Sequence, residues 1–401
     1  MELSKISVDK VVEIQKENKQ KKIRIAHFGQ KNCMTTEGGV EVVVAELAKR
    51  QVMMGQDVTC YNRSGHHISG AQFDVPKVKQ WNGIRMKYVP TIQGKGLAAV
   101  SSSFFATLAC AFGRYDIVHV HAEGPAVFMG ILHFSKMFNK RLRIIWTCHG
   151  LDWQRSKWSK GIGAKAIKAG EKKAARYADE IIVLSENIQH YFKTVYNRDS
   201  RYIPNGVNRQ EFKEADLIAK EYGLKKDSYL LYLSRIVPEK RADLLIDAFK
   251  QIETDKKLVI AGGASDSESY FTELKKKASD DERIIFTDFV QGEKKKELYS
   301  NAYVFVLPSD LEGMPLCLME AMSYNNCCLV SDIPECCNVI NEKGIYFEKG
   351  NKESLIRKMR FLLMNEYLVN DMSLVSADYI CEKFSWEKIA EDIQKVYRDQ
   401  R

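Results

Sequence analysis

The chain has 401 residues, 45% of them apolar and 28% charged, with a formal net charge of +9. Such a length suits about two domains of ~100–200 residues, and the composition excludes wholesale disorder. The positive excess predicts an anionic partner (phosphate, nucleic acid or an anionic membrane surface) without choosing among them.

Residues 1–22 are polar and lysine-rich, with no apolar leader. They are expected to form a surface helix or arm on a cytoplasmic protein. "KIRIAHFG" (22–29) reads as a strand, "GVEVVVAELAKRQVMMG" (39–55) as a helix closed by Gly55, and "DVTCYNR" (57–63) as a second strand. "GLAAVSSSFFATLACAFG" (96–113) is the longest uncharged stretch. It carries a serine cluster and reads as a buried helix rather than a membrane span, with a membrane-surface contact as the alternative. "DIVHVH" (116–121), "RIIWTCHG" (143–150) and "EIIVLSE" (180–186) continue the strands. After the turn "YIPNGVN" (202–208) the alternation restarts with "YLLYLSR" (229–235), "KLVIAGG" (257–263), "RIIFTDF" (283–289), "AYVFVLPS" (302–309), "CCLVSD" (327–332) and "GIYFE" (344–348). Strands that are apolar throughout and separated by helices indicate parallel sheets covered on both faces. The pattern predicts an α/β protein of two doubly wound, Rossmann-like domains, 1–206 and 207–383, facing across a cleft. Ten cysteines sit mostly in apolar contexts, and the pairs Cys327-Cys328 and Cys336-Cys337 lack the spacing of a zinc ribbon. They are expected to be buried and reduced.

Candidate chemistry lies in loops after strands. In "DLEGMPLCLMEAMS" (310–323), Glu312 precedes a helix start and Glu320 lies two turns inside it. Pro315 suits the first turn, and the amides of Gly313, Met314, Leu316 and Cys317 are expected to face the cleft. Glu320 is suited to accept hydrogen bonds from a ribose. "SRIVPEKRADLL" (234–245) offers Arg235 and Lys240 from one βα loop, a pairing that suits a diphosphate. "TTEGGVE" (35–41) places Gly38 and Gly39 where a backbone can approach a ligand, and His149 ends another strand. No G-x-G-x-x-G fingerprint follows the first strand.

Together these segments resemble the retaining glycosyltransferases of family 4, of GT-B architecture. The resemblance rests on the E-x7-E pair Glu312 and Glu320, with "SRIVPEK", "PNGVN", "EGGVE" and "HG" in the same order, and covers about residues 22–398. It implies that Arg235 and Lys240 bind the donor diphosphate, Glu320 the ribose and Glu312 hydroxyls of the transferred sugar. Val290, in "TDFVQGE", would read the nucleobase through its backbone. Gly39 would lie over the donor phosphates or border the acceptor, and His149 would orient the sugar. Pro315 departs from the glycine frequent at its position and removes one amide. The helix at 384–399 would return to complete the N-terminal, acceptor-side domain.

The implied reaction moves a sugar from a nucleotide diphosphate sugar, UDP-sugar favoured, to a hydroxyl of a glycan or lipid-linked acceptor in bacterial surface-polysaccharide synthesis. No D-x-D motif is present, so no divalent metal and no other cofactor is expected. The basic segment 153–180, with Trp153 and Trp158 at its start, is either a solvated helix face or a contact for an anionic membrane or lipid-pyrophosphate acceptor. "RSGHHISG" (63–70), with His66 and His67, is expected to border the acceptor pocket. The alternatives are a nucleotide-sugar 2-epimerase of the same fold and a basic nucleic-acid-binding protein. No nucleic-acid-binding module is recognisable, and nucleic acid is not the expected partner.

Overall fold

The computed structural model describes residues 22–65, 74–94, 96–155, 161–264 and 267–399. The lysine-rich start up to residue 21, His66 and His67, and Lys157, Trp158 and Lys160 lie outside these residues.

The first sheet holds β1 (Arg24–Phe28), β2 (Asp57–Arg63), β3 (Gln80–Trp81), β4 (Ile84–Val89), β5 (Ile117–His121), β6 (Arg143–Cys148), β7 (Glu180–Val183) and β8 (Arg201–Tyr202). Their order is β3-β4-β2-β1-β5-β6-β7-β8, parallel except for the antiparallel β3–β4 pair. The second sheet holds β9 (Tyr229–Leu233), β10 (Lys257–Ala261), β11 (Ile284–Asp288), β12 (Val304–Leu307), β13 (Cys328–Ser331) and β14 (Ile345–Phe347). All its pairings are parallel, in the order β11-β10-β9-β12-β13-β14. Every residue of β5 and β9 is buried, as strands covered by helices on both faces require.

Three strands do not stand out as apolar runs. β4 alternates buried and exposed residues along most of its length, near the sheet's edge. It is joined to β3 by Asn82-Gly83, both at positive φ (47° and 78°), the two-residue hairpin such a pair favours. β8 is only two residues long.

The uncharged stretch forms a helix, Leu97–Ala111, but it is not wholly buried, since Leu97 and Val100 are exposed. Its hydroxyls turn back on their own helix. Ser101, Ser102, Ser103 and Thr107 each donate to the carbonyl four residues earlier, at 2.6–2.8 Å. A serine-rich face can thus be buried with its hydroxyls bonded. All ten cysteines are free, and seven are buried.

The last helix, Trp386–Arg398, crosses back to the first sheet, packing on the helix Gly39–Met53. Trp386, Ile389, Ile393 and Val396 join the apolar cluster that includes Ile25, Val44, Leu47 and Ile145. Arg50 bonds Glu387 and Asn208, each at 2.7 Å, and Arg143 donates to the carbonyls of Val396 and Tyr397 at the helix end. Trp386 lies on Gly206, where an added Cβ would come within 2.5 Å of the indole. This tertiary seam ties the chain's end to its first half. Trp386→Ala should therefore cost about 3–5 kcal/mol, read as a lowered urea midpoint. A loss below about 1 kcal/mol would mean that the helix contributes little to that half.

Candidate active site

Strand order reverses between β1 and β5 in one sheet and between β9 and β12 in the other. In open α/β sheets the crevice at such a point, at the strands' carboxyl ends, is where ligands bind. The two crevices meet. One cavity is lined by Gly150, Leu151 and Arg155 from the first half and by Arg235, Glu239, Lys240, Leu311, Glu312 and Gly313 from the second.

The loop after β12 makes the junction. A side chain on Gly313 would put its Cβ 2.0 Å from the His149 carbonyl oxygen, so the two backbones touch directly. Pro315 precedes the helix Leu316–Ser323, and its neighbours reach across the cleft. Met314 sulfur accepts from the Asn205 amide at 3.0 Å, and Leu316 lies against Gly39, 3.3 Å from where its Cβ would be. Beside Gly39, a Cβ on Gly38 would meet the Glu41 carboxylate at 2.7 Å, while that carboxylate accepts from the Lys31 amide at 2.8 Å.

Three cations converge on the cavity. Lys240, on the short turn Pro238–Lys240, is ion-paired with Glu312, whose carboxylate also accepts from Ser309 Oγ at 2.7 Å. Arg155 is held by Asp152 at 3.2 Å. Arg235 has no ion pair among the described residues; burial and the nearby Arg155 both lower its pKa. The carboxylates of Glu312, Glu239 and Asp152 act on it in the opposite sense; two guanidiniums side by side favour a bound anion. Arg155 escaped the sequence reading as a site residue because it stood within a long basic run. The signal was its place six positions after a strand-end histidine.

Glu320 faces a different group of residues from Glu312. Lys295 lies 2.8 Å from its carboxylate, and Tyr299 donates to it at 3.3 Å. Val290 is buried at the start of the loop after β11, in the apolar cluster that also holds Tyr299 and Leu318. The structure therefore gathers His149, Arg235, Lys240, Glu312 and Gly313 at the junction and sets Glu320 farther along its helix.

In the basic segment, Lys165, Lys168, Lys172, Lys173 and Arg176 are exposed on the helix Gly161–Tyr177. Its single acid, Glu171, is buried and accepts from Trp153 Nε1 at 2.9 Å, from Tyr191 at 2.7 Å and from Tyr196. Glu123 is pushed up to about 10 by burial and by the carboxylates of Asp152 and Glu171. Among the described residues, His27, His119 and His121 are the one set of three metal-ligating side chains brought together, with ligand atoms within 4.8 Å. Every ring nitrogen of the three already has a hydrogen-bond partner.

Two parallel α/β domains that meet at both switch points define the GT-B architecture of glycosyltransferases. Residues 37–211 match the family model Glycosyltransferase Family 4 and residues 214–379 match Glycosyl transferases group 1, so the chain belongs to these glycosyltransferases. It is 24% identical over 363 residues to an uncharacterized glycosyltransferase of Methanocaldococcus jannaschii, covering 84% of this chain and 90% of the relative. It is 28% identical over 307 residues to the UDP-Gal:alpha-D-GlcNAc-diphosphoundecaprenol alpha-1,3-galactosyltransferase of Escherichia coli, covering 71% of this chain and 76% of that one. The Anabaena protein HepE, solved in complex with UDP-glucose, shares the fold with a TM-score of 0.75 at 15% identity, over 93% of this chain and 99% of the other.

Burial lowers His27 from 6.5 to about 4, and burial with nearby Arg155 lowers His149 to about 3. The unfolded imidazoles take protons near pH 6.5 while the folded ones stay neutral, so between those values the unfolded state binds more protons. Their contribution is complete above about pH 6.5 and is lost as the pH falls towards 4. Glu123 acts in the opposite sense, because its folded carboxyl keeps a proton that the unfolded chain releases near 4.5. Calorimetry should find the thermal midpoint falling from about pH 7 to about pH 5. A flat or rising midpoint over that range would contradict neutral buried histidines.

Proposed function

We propose that the protein transfers a sugar, with retention of configuration, from a UDP-sugar to a hydroxyl of a glycan or lipid-linked acceptor, with no divalent metal. The observation that carries this reading is Arg235, which has no ion pair among the described residues, beside Arg155 and Lys240 at the second sheet's switch point. As the bond from the anomeric carbon to the diphosphate breaks, charge develops on the leaving oxygen. Arg235, Arg155 and Lys240 are placed to stabilise it, the work a metal does elsewhere. For retention, the acceptor oxygen bonds to the anomeric carbon on the face the diphosphate leaves, and its proton passes to a leaving phosphate oxygen. Glu312 would exchange part of its contact with Lys240 for sugar hydroxyls, and Glu320 would exchange Lys295 for the ribose. The UDP-Gal used by the Escherichia coli enzyme and the UDP-glucose bound by the Anabaena protein favour uridine.

The acceptor reading draws on an outer surface of the first half. The exposed cations of the helix Gly161–Tyr177 stand beside the packed helix Met129–Ser135, and Phe134, Met137 and Phe138 there are exposed. Apolar side chains next to lysines suit the interface of an anionic membrane, where a lipid-linked acceptor would be held. Among the described residues no helix is long and apolar enough to cross a membrane.

Two experiments test these readings. In EDTA, UDP at ~100 times its dissociation constant should add about 2.7 kcal/mol of apparent stability, and Glu320→Ala and Arg235→Ala should each remove most of it. Stabilisation by GDP or dTDP alone would move the donor, and a requirement for manganese would overturn the metal-independent mechanism. In vesicle sedimentation the protein should bind phosphatidylglycerol-containing vesicles and not neutral ones. Replacing Phe134, Met137 and Phe138 by serine should abolish binding; unchanged binding would remove this surface from the proposal.

A further inference from the structure

Seven side chains from five parts of the chain form one continuous line of hydrogen bonds beneath the cleft. His149 Nε2 meets His121 Nδ1 at 3.1 Å, and His121 Nε2 meets His27 Nδ1 at 3.0 Å. His27 Nε2 meets Gln51 Oε1 at 2.8 Å, and Gln51 Nε2 meets the Tyr397 hydroxyl at 3.1 Å. The same hydroxyl meets His119 Nδ1 at 2.6 Å, and His119 Nε2 meets Thr147 Oγ1 at 2.6 Å. Gln51, His27, His119 and His121 are at most 1% exposed.

Such a chain has direction. A neutral imidazole carries one N–H, so the role of one nitrogen sets that of the other. Gln51 Oε1 can only accept, so His27 Nε2 carries the proton and His27 Nδ1 is bare. His121 Nε2 must then donate to it, which leaves His121 Nδ1 bare to accept from His149 Nε2. His149 Nδ1 is left as a lone-pair acceptor, with no partner among the described residues. On the other side the Gln51 amide donates to Tyr397, whose proton goes to His119 Nδ1, and His119 Nε2–H donates to Thr147. Turning over the Gln51 amide reverses every bond; no mixed arrangement satisfies them all. An added proton on His27 Nδ1 or His121 Nδ1 would set one N–H against another, so the geometry excludes an imidazolium at those two rings; at His149 the chain fixes the Nε2 proton, and burial with the nearby Arg155 disfavours a second.

We propose that Gln51, His27 and His121 are positioning residues that fix the proton of the His149 imidazole on Nε2, presenting bare Nδ1 as an acceptor at the cleft. His149 immediately precedes Gly150, which lines the cavity. Resting on the glycosyltransferase reading above, this makes His149 an acceptor for a hydroxyl of the transferred sugar and not a proton donor to the leaving group. Tyr397 lies on the helix Trp386–Arg398, so the C-terminal helix helps to set a protonation state at the cleft.

The test is the tautomer itself. In the full chain labelled with 15N-histidine, long-range proton–nitrogen correlation reports which ring nitrogens carry protons, with His149→Gln assigning the resonance. The expected result is His149 protonated on Nε2 and bare on Nδ1, with no imidazolium, across about pH 5.5–8. Gln51→Leu and His121→Phe should convert this to a mixed or reversed tautomer. They should also lower kcat by about 10-fold or more with the donor KM changed much less. Packing alone would lower stability and leave the His149 tautomer as it was, and that outcome overturns the proposal. A proton on Nδ1 in the unsubstituted protein overturns it too, whether or not the variants fold. If the tautomer is as stated but no nucleotide sugar is turned over, the hydrogen-bond chain stands and the reading of the reaction fails.

Discussion

The direct contact between the Gly313 backbone and the carbonyl of His149 is the constraint on which the rest of the site depends. Two sheets can face one another at any distance their side chains allow. Here no side chain intervenes, and Met314 and Leu316 reach across on either side. That closeness puts Arg155 of one half in the same cavity as Arg235 and Lys240 of the other. A Cβ at position 313 would push the halves apart and dissolve this cluster.

Bringing three cations together out of bulk water is unfavourable unless something offsets them. Asp152 does so for Arg155 and Glu312 for Lys240, while Arg235 has no ion pair among the described residues. The pairs hold Arg155 and Lys240 in place, and Glu239 lines the same cavity, so cations and carboxylates are interleaved there. The row of neutral histidines beneath belongs to the same balance. Charged imidazoles there would add to the cationic potential and lack the desolvated partners they need, and burial holds His27 and His149 neutral.

Several site features were legible because they depend on local chemistry. The E-x7-E pair straddles a helix start that proline announces, and Arg235 and Lys240 follow a strand that is apolar throughout. The Asn82-Gly83 hairpin was equally local, but its short, half-exposed strands carry little apolar signal, so their pattern was easily missed. His119 and His121 alternate along β5 and so share a face, a clue that points to company without saying whose. The helix Leu97–Ala111 looked buried because it lacks charge; a tertiary surface leaves Leu97 and Val100 exposed instead.

By itself the sequence determined the βα alternation, the strand-end positions of His149, Arg235 and Glu312, and their resemblance to a glycosyltransferase, since period and turn chemistry act over a few residues. Only the tertiary structure decided that Arg155 joins Arg235, that Glu320 is held by Lys295, and that Tyr397 bonds His119 from 278 residues away. These facts turn on distances between segments far apart in the chain. Such distances are set by how two sheets and a returning helix pack, and no local pattern encodes them.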